Sequence, residues 1–132
     1  MANIEARDTR PLSPHLSVYR PIITMVMSIM HRMTGVANVF GMILVMWWLV
    51  AVATGSDYYA TVNQILGSWL GLIVLFGFSW SLIHHAFGGL RHLVWDTGAG
   101  FDEHSRTAMA WGTIIGSVIF TIVLWVIAVA VV

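Results

Sequence analysis

Hydrophobic and polar positions alternate along this chain in long blocks rather than in short amphipathic periods. Three runs are apolar for 20 residues or more: Met25 to Ala53, Val62 to Leu93, and Thr107 to Val132. A helix crosses the hydrocarbon of a bilayer in about 20 residues, so each run predicts a transmembrane helix. Two polar linkers separate them, "TGSDYYAT" (Thr54 to Thr61) and "WDTGAGFDEHSR" (Trp95 to Arg106), both with Gly, Asp and Ser turn signals. The expected fold is an all-α membrane protein, one domain of 132 residues. It comprises an N-terminal segment over residues 1–24 and helices over 25–53, 62–93 and 107–132.

Composition agrees with this picture. Hydrophobic residues make up 58% and charged ones 9%, against about 25% charged in ordinary soluble domains. There is no cysteine, which excludes disulfides and cysteine-held iron–sulfur clusters. The formal net charge is zero, which suggests no nucleic-acid partner. All basic residues are arginines. Arg7, Arg10, Arg20 and Arg32 precede or open the first span, and Arg91 and Arg106 flank the second linker. The positive-inside rule puts the N-terminus and second linker in the cytoplasm and the C-terminus outside. The first 20 residues lack the apolar core of a signal peptide, and Glu5 and Asp8 interrupt any transit-peptide pattern. A bacterial inner membrane is the expected location.

The scarce polar groups line up. At about 100° per residue, Ser81, His85, Gly89, His92 and Asp96 share one face of the second span, with Gly88 beside it. On the first span Thr24, Ser28, Arg32 and Gly35 do the same, with His31 close by. His31, Arg32, Arg91 and His92 fall near the inner boundary. His85 lies about 10 Å deeper than His92. Ionisable groups inside a membrane are costly and mark functional sites by default. Each also has a plainer reading. Arg91, His92 and Asp96 suit a helix end at the interface, and Arg32 can snorkel to headgroups. Ser28 can bond its own i−4 carbonyl, and His85 can be a buried neutral imidazole. His84 points about 100° from His85 and is expected to meet a neighbouring helix. His15 and His104 lie in polar segments, as solvated residues.

Histidine at depth beside glycine, with arginine nearer the water, suits a haem: imidazole ligates iron, and Arg or His offsets the propionates. His85 and His92 are too far apart on one helix to share an iron, and His31 is too shallow, so a second ligand is expected from a partner. Ser28 and Arg32, at i and i+4, could donate hydrogen bonds to quinone carbonyls and stabilise developing negative charge. Rival readings are a self-contained cytochrome, a haem-free quinone anchor, and a small transporter or proton channel.

Two motifs carry a family resemblance: "RPLSPHLSVYR" followed by "SIMHRMTG" within Arg10 to Gly35, and "HAFGGLRHLVWD" from His85 to Asp96, which fits H-x3-G-x-R-H-x3-D. The chain resembles the cytochrome b556 subunits of succinate dehydrogenase, the larger of the two membrane anchors of respiratory complex II. The likeness covers nearly the whole chain. It implies that His85 is an axial ligand of haem b, with the other ligand from the smaller membrane anchor. It implies that His31 and His92, with Arg91, lie near the propionates. It further implies that Ser28 and Arg32 belong to a ubiquinone site, with Asp96 nearby. The implied activity is that of one component of a succinate:quinone oxidoreductase: two-electron, two-proton reduction of ubiquinone. Electrons would come from succinate through the flavoprotein and iron–sulfur subunits, the latter lying against the Pro-containing N-terminus.

Overall fold

The computed structural model describes residues 19–131. His15, Arg7, Arg10 and the expected N-terminal contact with an iron–sulfur subunit lie outside the described residues. Four helices follow in order: α1 (Ile23–Thr54), α2 (Ser56–Leu66), α3 (Trp69–Asp96) and α4 (Glu103–Val131). No strand occurs among the described residues. Three helices are long and apolar enough to span a membrane: α1 with 32 residues, α3 with 28 and α4 with 29.

The helix count differs from the three-helix expectation because the first linker is itself helical. Only Gly55, at φ 139°, separates α1 from α2. Ser, Asp and Gly signal turns, but Ser-Asp is equally a helix start, and Asp57 sits in the first turn of α2 where it favours the helix dipole. The second span therefore begins at Trp69 rather than Val62. Ser68 caps it, its Oγ accepting a hydrogen bond from Gly71 N–H at 3.2 Å. The second linker is shorter than expected. α3 runs on to Asp96, and α4 starts four residues before Thr107. Between them Gly98 and Gly100 take φ of 81° and 77°, a backbone that other residues rarely adopt. Asp102 then receives Ser105 N–H at 2.8 Å. That bond, with the Ser105 hydroxyl, holds the Asp102 carboxyl below the usual carboxylate range.

α3 packs between α1 and α4. The seams are built from small and polar side chains. Buried in them, beside Met27, Ala51, His84 and Arg91, are Thr34 and Gly41 on α1, Ser81 and Gly88 on α3, and Ala110, Thr113, Ser117 and Thr121 on α4. Gly41 makes room for the Phe78 ring. Small residues let helix backbones approach closely, which is how helices associate in lipid, where apolar burial has no driving force. The buried hydroxyls are satisfied locally: Thr34, Thr113 and Thr121 each donate to the carbonyl four residues earlier, at 2.9, 2.9 and 2.7 Å. The large aliphatic and aromatic side chains instead face outward, among them Phe40, Ile43, Ile115 and Val126. That surface suits lipid or partner helices.

Candidate functional site

The face of α3 turned into the chain sits one residue from the stripe expected for it. Ser81, His84, Gly88 and Arg91 are buried, while His85 is half-buried at the edge against α1, and His92 and Asp96 are exposed. Periodicity gives angles within a helix and not the direction of its neighbours.

On the α1 side three imidazoles come together. The His31 and His85 rings stack with centroids 4.0 Å apart and planes 12° from parallel. The His92 ring lies 5.3 Å from His31. Two glycines permit this. A Cβ on Gly88 would collide with the His31 ring, and one on Gly35 would stand 3.1 Å from His85 Cε1. Each helix thus offers a gap where the other inserts a ring.

His85 Nδ1 lies 3.0 Å from the His31 carbonyl oxygen and 3.3 Å from Thr34 Oγ1. A carbonyl only accepts, so Nδ1 carries the hydrogen and Nε2 keeps its lone pair. Among the described residues Nε2 has no hydrogen-bond partner. This is the tautomer of a histidine metal ligand, whose other nitrogen donates to a carbonyl. Thr34 is itself held by its bonds to Met30 and His31 carbonyls. Ser81 Oγ ties α3 to α1 alongside, 2.9 Å from Asn38 Oδ1 and 3.1 Å from the Thr34 carbonyl. Thr34 and Asn38 escaped the reading of the sequence. Their signal was the i, i+4 spacing of two polar residues within an apolar run.

His84 faces the other way, as its angle predicts. It is 2% exposed, and its Nδ1 lies 3.1 Å from Ser117 Oγ on α4. Trp80 lies along it, with ring centroids 5.1 Å apart. Arg91 is enclosed among its own helices, at 5% exposure, with its guanidinium carbon 5.1 Å from the Trp95 ring centroid. Trp95 in turn donates to the Gly100 carbonyl at 3.2 Å. His31 Nε2, His84 Nε2, Arg106 Nε and the Arg91 Nε and Nη1 are buried without a hydrogen-bond partner among the described residues. Buried polar atoms of this kind are costly unless something pairs with them. The Arg91 nitrogens, which are donors in any state of the chain, fit an anionic acceptor brought in by a ligand, as haem propionates would be.

Ser28, Arg32 and Asp96 are exposed. Among the described residues none of the three makes a side-chain hydrogen bond or an ion pair, and nothing in the chain joins the α1 pair to Asp96. Ser28 differs in this from Thr34, Ser79, Thr113, Ser117 and Thr121, whose hydroxyls bond their own helix. No cluster of three or more His, Asp or Glu side chains arranged for a metal ion occurs among the described residues. His31 and His85 lie face to face in contact, so the two rings do not stand across a gap from one another.

Three spans, an aliphatic exterior and imidazoles gathered between two helices at one end define a membrane-anchor bundle with a ligand-ready histidine. Residues 6–124 match the family described as succinate dehydrogenase/fumarate reductase transmembrane subunit. The chain is 43% identical over 122 residues to the succinate dehydrogenase cytochrome b556 subunit of Paracoccus denitrificans, covering 92% of this chain and 93% of that one. It is 41% identical to the protein of the same name from Rickettsia bellii, covering 92% and 95%. The mitochondrial cytochrome b560 subunit of Sus scrofa is 37% identical over 95 residues, 69% of this chain and 55% of that one. The chain belongs to this family of succinate dehydrogenase membrane subunits. With three spans and bacterial relatives of this similarity, it is a multi-pass inner-membrane protein.

Proposed function

We propose that this chain is the haem b-binding anchor of a succinate:ubiquinone oxidoreductase, with His85 Nε2 as one axial ligand to the haem iron. One observation carries the reading: the His31 carbonyl fixes the His85 tautomer and leaves Nε2 as an open lone pair at a half-buried position. The second ligand comes from the smaller membrane anchor, since His31 stacks on His85 instead of opposing it. His31, His92 and Arg91 surround that ligand with donors for the propionates. When bound, the haem supplies one-electron storage beside the quinone.

Ubiquinone is the substrate. It takes two electrons and two protons to become ubiquinol. The electrons come from succinate, through the flavoprotein and iron–sulfur subunits. Arg32 and Ser28 share one exposed stripe of α1, one turn apart, so both can donate to the carbonyl oxygens of a single headgroup. Arg32 also offsets the negative charge that develops on them. Asp96, exposed at the end of α3, is placed to take part in proton supply. The arginine distribution supports a cytoplasmic N-terminus, which puts the quinone site on the cytoplasmic side.

The test has two arms on the complex purified through this chain. A reduced-minus-oxidised spectrum with succinate should show a b-type band. No band with either succinate or dithionite would sink the haem assignment. Arg32→Ala should lower quinone reduction by about tenfold or more, on the scale of one lost donor at developing charge. Succinate oxidation with a soluble acceptor should persist. Equal loss of both activities would instead mean failed assembly.

A further inference from the structure

The amide of Asn38 is only half provided for within this chain. Asn38 stands at the middle of the 32-residue α1, two turns and about 10 Å beyond His31. It is half-buried, and its Oδ1 lies 2.9 Å from Ser81 Oγ. The Thr34 carbonyl lies 3.1 Å from the same hydroxyl, which has a single proton to give. If that proton goes to Asn38, both amide hydrogens are left over. If it goes to Thr34, the amide turns to donate to Ser81 and keeps one N–H and its oxygen free. Either way the amide carries at least one unpaired donor. Among the described residues it has no other hydrogen-bond partner, and at this depth lipid tails offer none.

That donor opens on a groove. Gly35, Asn38, Val39, Met42, Ile43 and Met46 line a trough of about 480 Å³ along α1. Val39, Met42 and Met46 follow Gly35 at i+4, i+7 and i+11, the spacing of one helix face. At the Gly35 end stands the His85 ring, its Cε1 3.1 Å from where a Gly35 Cβ would be. A small residue admits a close backbone, and methionines fit themselves to an irregular surface.

We propose that this trough seats a transmembrane helix of the smaller membrane anchor, with a side-chain oxygen at its mid-span accepting from Asn38. The inference rests on the reading of His85 given above, in which that anchor supplies the opposing haem ligand: the trough runs up to the His85 ring, so a helix lying in it passes that residue. Other occupants fail. An acyl chain has no acceptor for the amide. The haem has its acceptors in the propionates, which belong with Arg91, His31 and His92, beyond the His85 ring from Asn38. A second copy of this chain seated on the trough would close the same face over His85 and leave no room for the anchor that serves it. Asparagine bonds across helices in membranes. Asn38 is thus a positioning residue, fixing the depth and rotation of the helix that faces His85.

The experiment uses the whole complex in its native membrane. A benzophenone photo-crosslinker replaces Met46, at the end of the trough away from His85, or Val126, in a groove between α3 and α4. After illumination and purification through this chain, mass spectrometry identifies what was captured. The smaller anchor should be captured from position 46 and not from position 126. Capture of a second copy of this chain, of lipid alone, or of the anchor equally from both positions would overturn the proposal. In a second arm, Asn38→Leu should lower the fraction of smaller anchor retained through a detergent wash by roughly threefold to tenfold, the range of one interhelical hydrogen bond. Ser81→Ala removes only the bond of the amide within this chain and should keep retention at the unsubstituted level. Equal loss in both variants would assign Asn38 to the α1–α3 seam and overturn its role across the interface, as would unchanged retention in Asn38→Leu. If Asn38→Leu fails to assemble, capture from position 46 still decides. The b-type band is read on the unsubstituted complex: its absence would sink the haem reading alone, since the capture tests the docking without it.

Discussion

His84 and His85 are neighbours in sequence and opposites in circumstance. His84 lies in the α3–α4 seam, almost fully enclosed, with Ser117 on one nitrogen. His85 lies in the α1–α3 seam, half-buried, with its hydrogen directed to a backbone carbonyl. Burial alone would single out His84 as the functional residue. Hydrogen bonding does not separate them. Ser117 gives its own proton to the Ile114 carbonyl at 2.9 Å, so it accepts from His84 Nδ1 just as the His31 carbonyl accepts from His85 Nδ1. What differs is access: His84 Nε2 is buried without a partner among the described residues, whereas His85 is half-buried at the edge of its seam.

The comparison breaks first at the two histidines themselves. His85→Ala should abolish the b-type band, whereas His84→Ala should retain it; the reverse pattern in the reduced-minus-oxidised spectrum would exchange their roles. A smaller effect is expected at the paired glycines. Gly88→Ala puts a methyl into the His31 ring and should destabilise the assembled complex by about 1–3 kcal/mol, the usual cost of overpacking. Gly89→Ala meets open space within this chain and should leave the melting temperature unchanged. Equal melting of the two variants would mean that the His31 ring moves aside freely. The smallest effect is at Ser117. Ser117→Ala removes the partner of His84 and should cost about 1 kcal/mol, with the haem band unmoved. A shifted band would show that the α3–α4 seam reaches the ligand after all.

The three spans were legible because apolar runs longer than 20 residues admit few alternatives. The start of the second was not. "TGSDYY" reads as a turn by composition, yet Ser-Asp also opens helices, and only packing across α1 and α3 decides between the two. At the site, spacing brought His31, His85 and His92 into one group, and the structure brings their rings together. Spacing could not show which side of α3 faces inward, and so could not show that Arg91 is enclosed among its own helices. Nor could it show Thr34 and Asn38 reaching across to His85 and Ser81, since those bonds depend on the rotation of α1 about its own axis. Ser28, Arg32 and Asp96 share neither contact nor seam among the described residues, so nothing in the packing of the chain could be read from their spacing.

The thinness of the interior has a consequence for how the cell handles this protein. Apart from Met27, Ala51, Val62 and Ala110, the buried side chains are polar, ionisable or glycine. Phe40, Ile43 and their like lie outside. Such a bundle has few interlocking contacts to hold a single arrangement, and two buried guanidinium nitrogens of Arg91 have no acceptor among the described residues. Packing this loose ties the persistence of the chain to what it joins, and pulse labelling should show a shortened half-life when its partners are withheld.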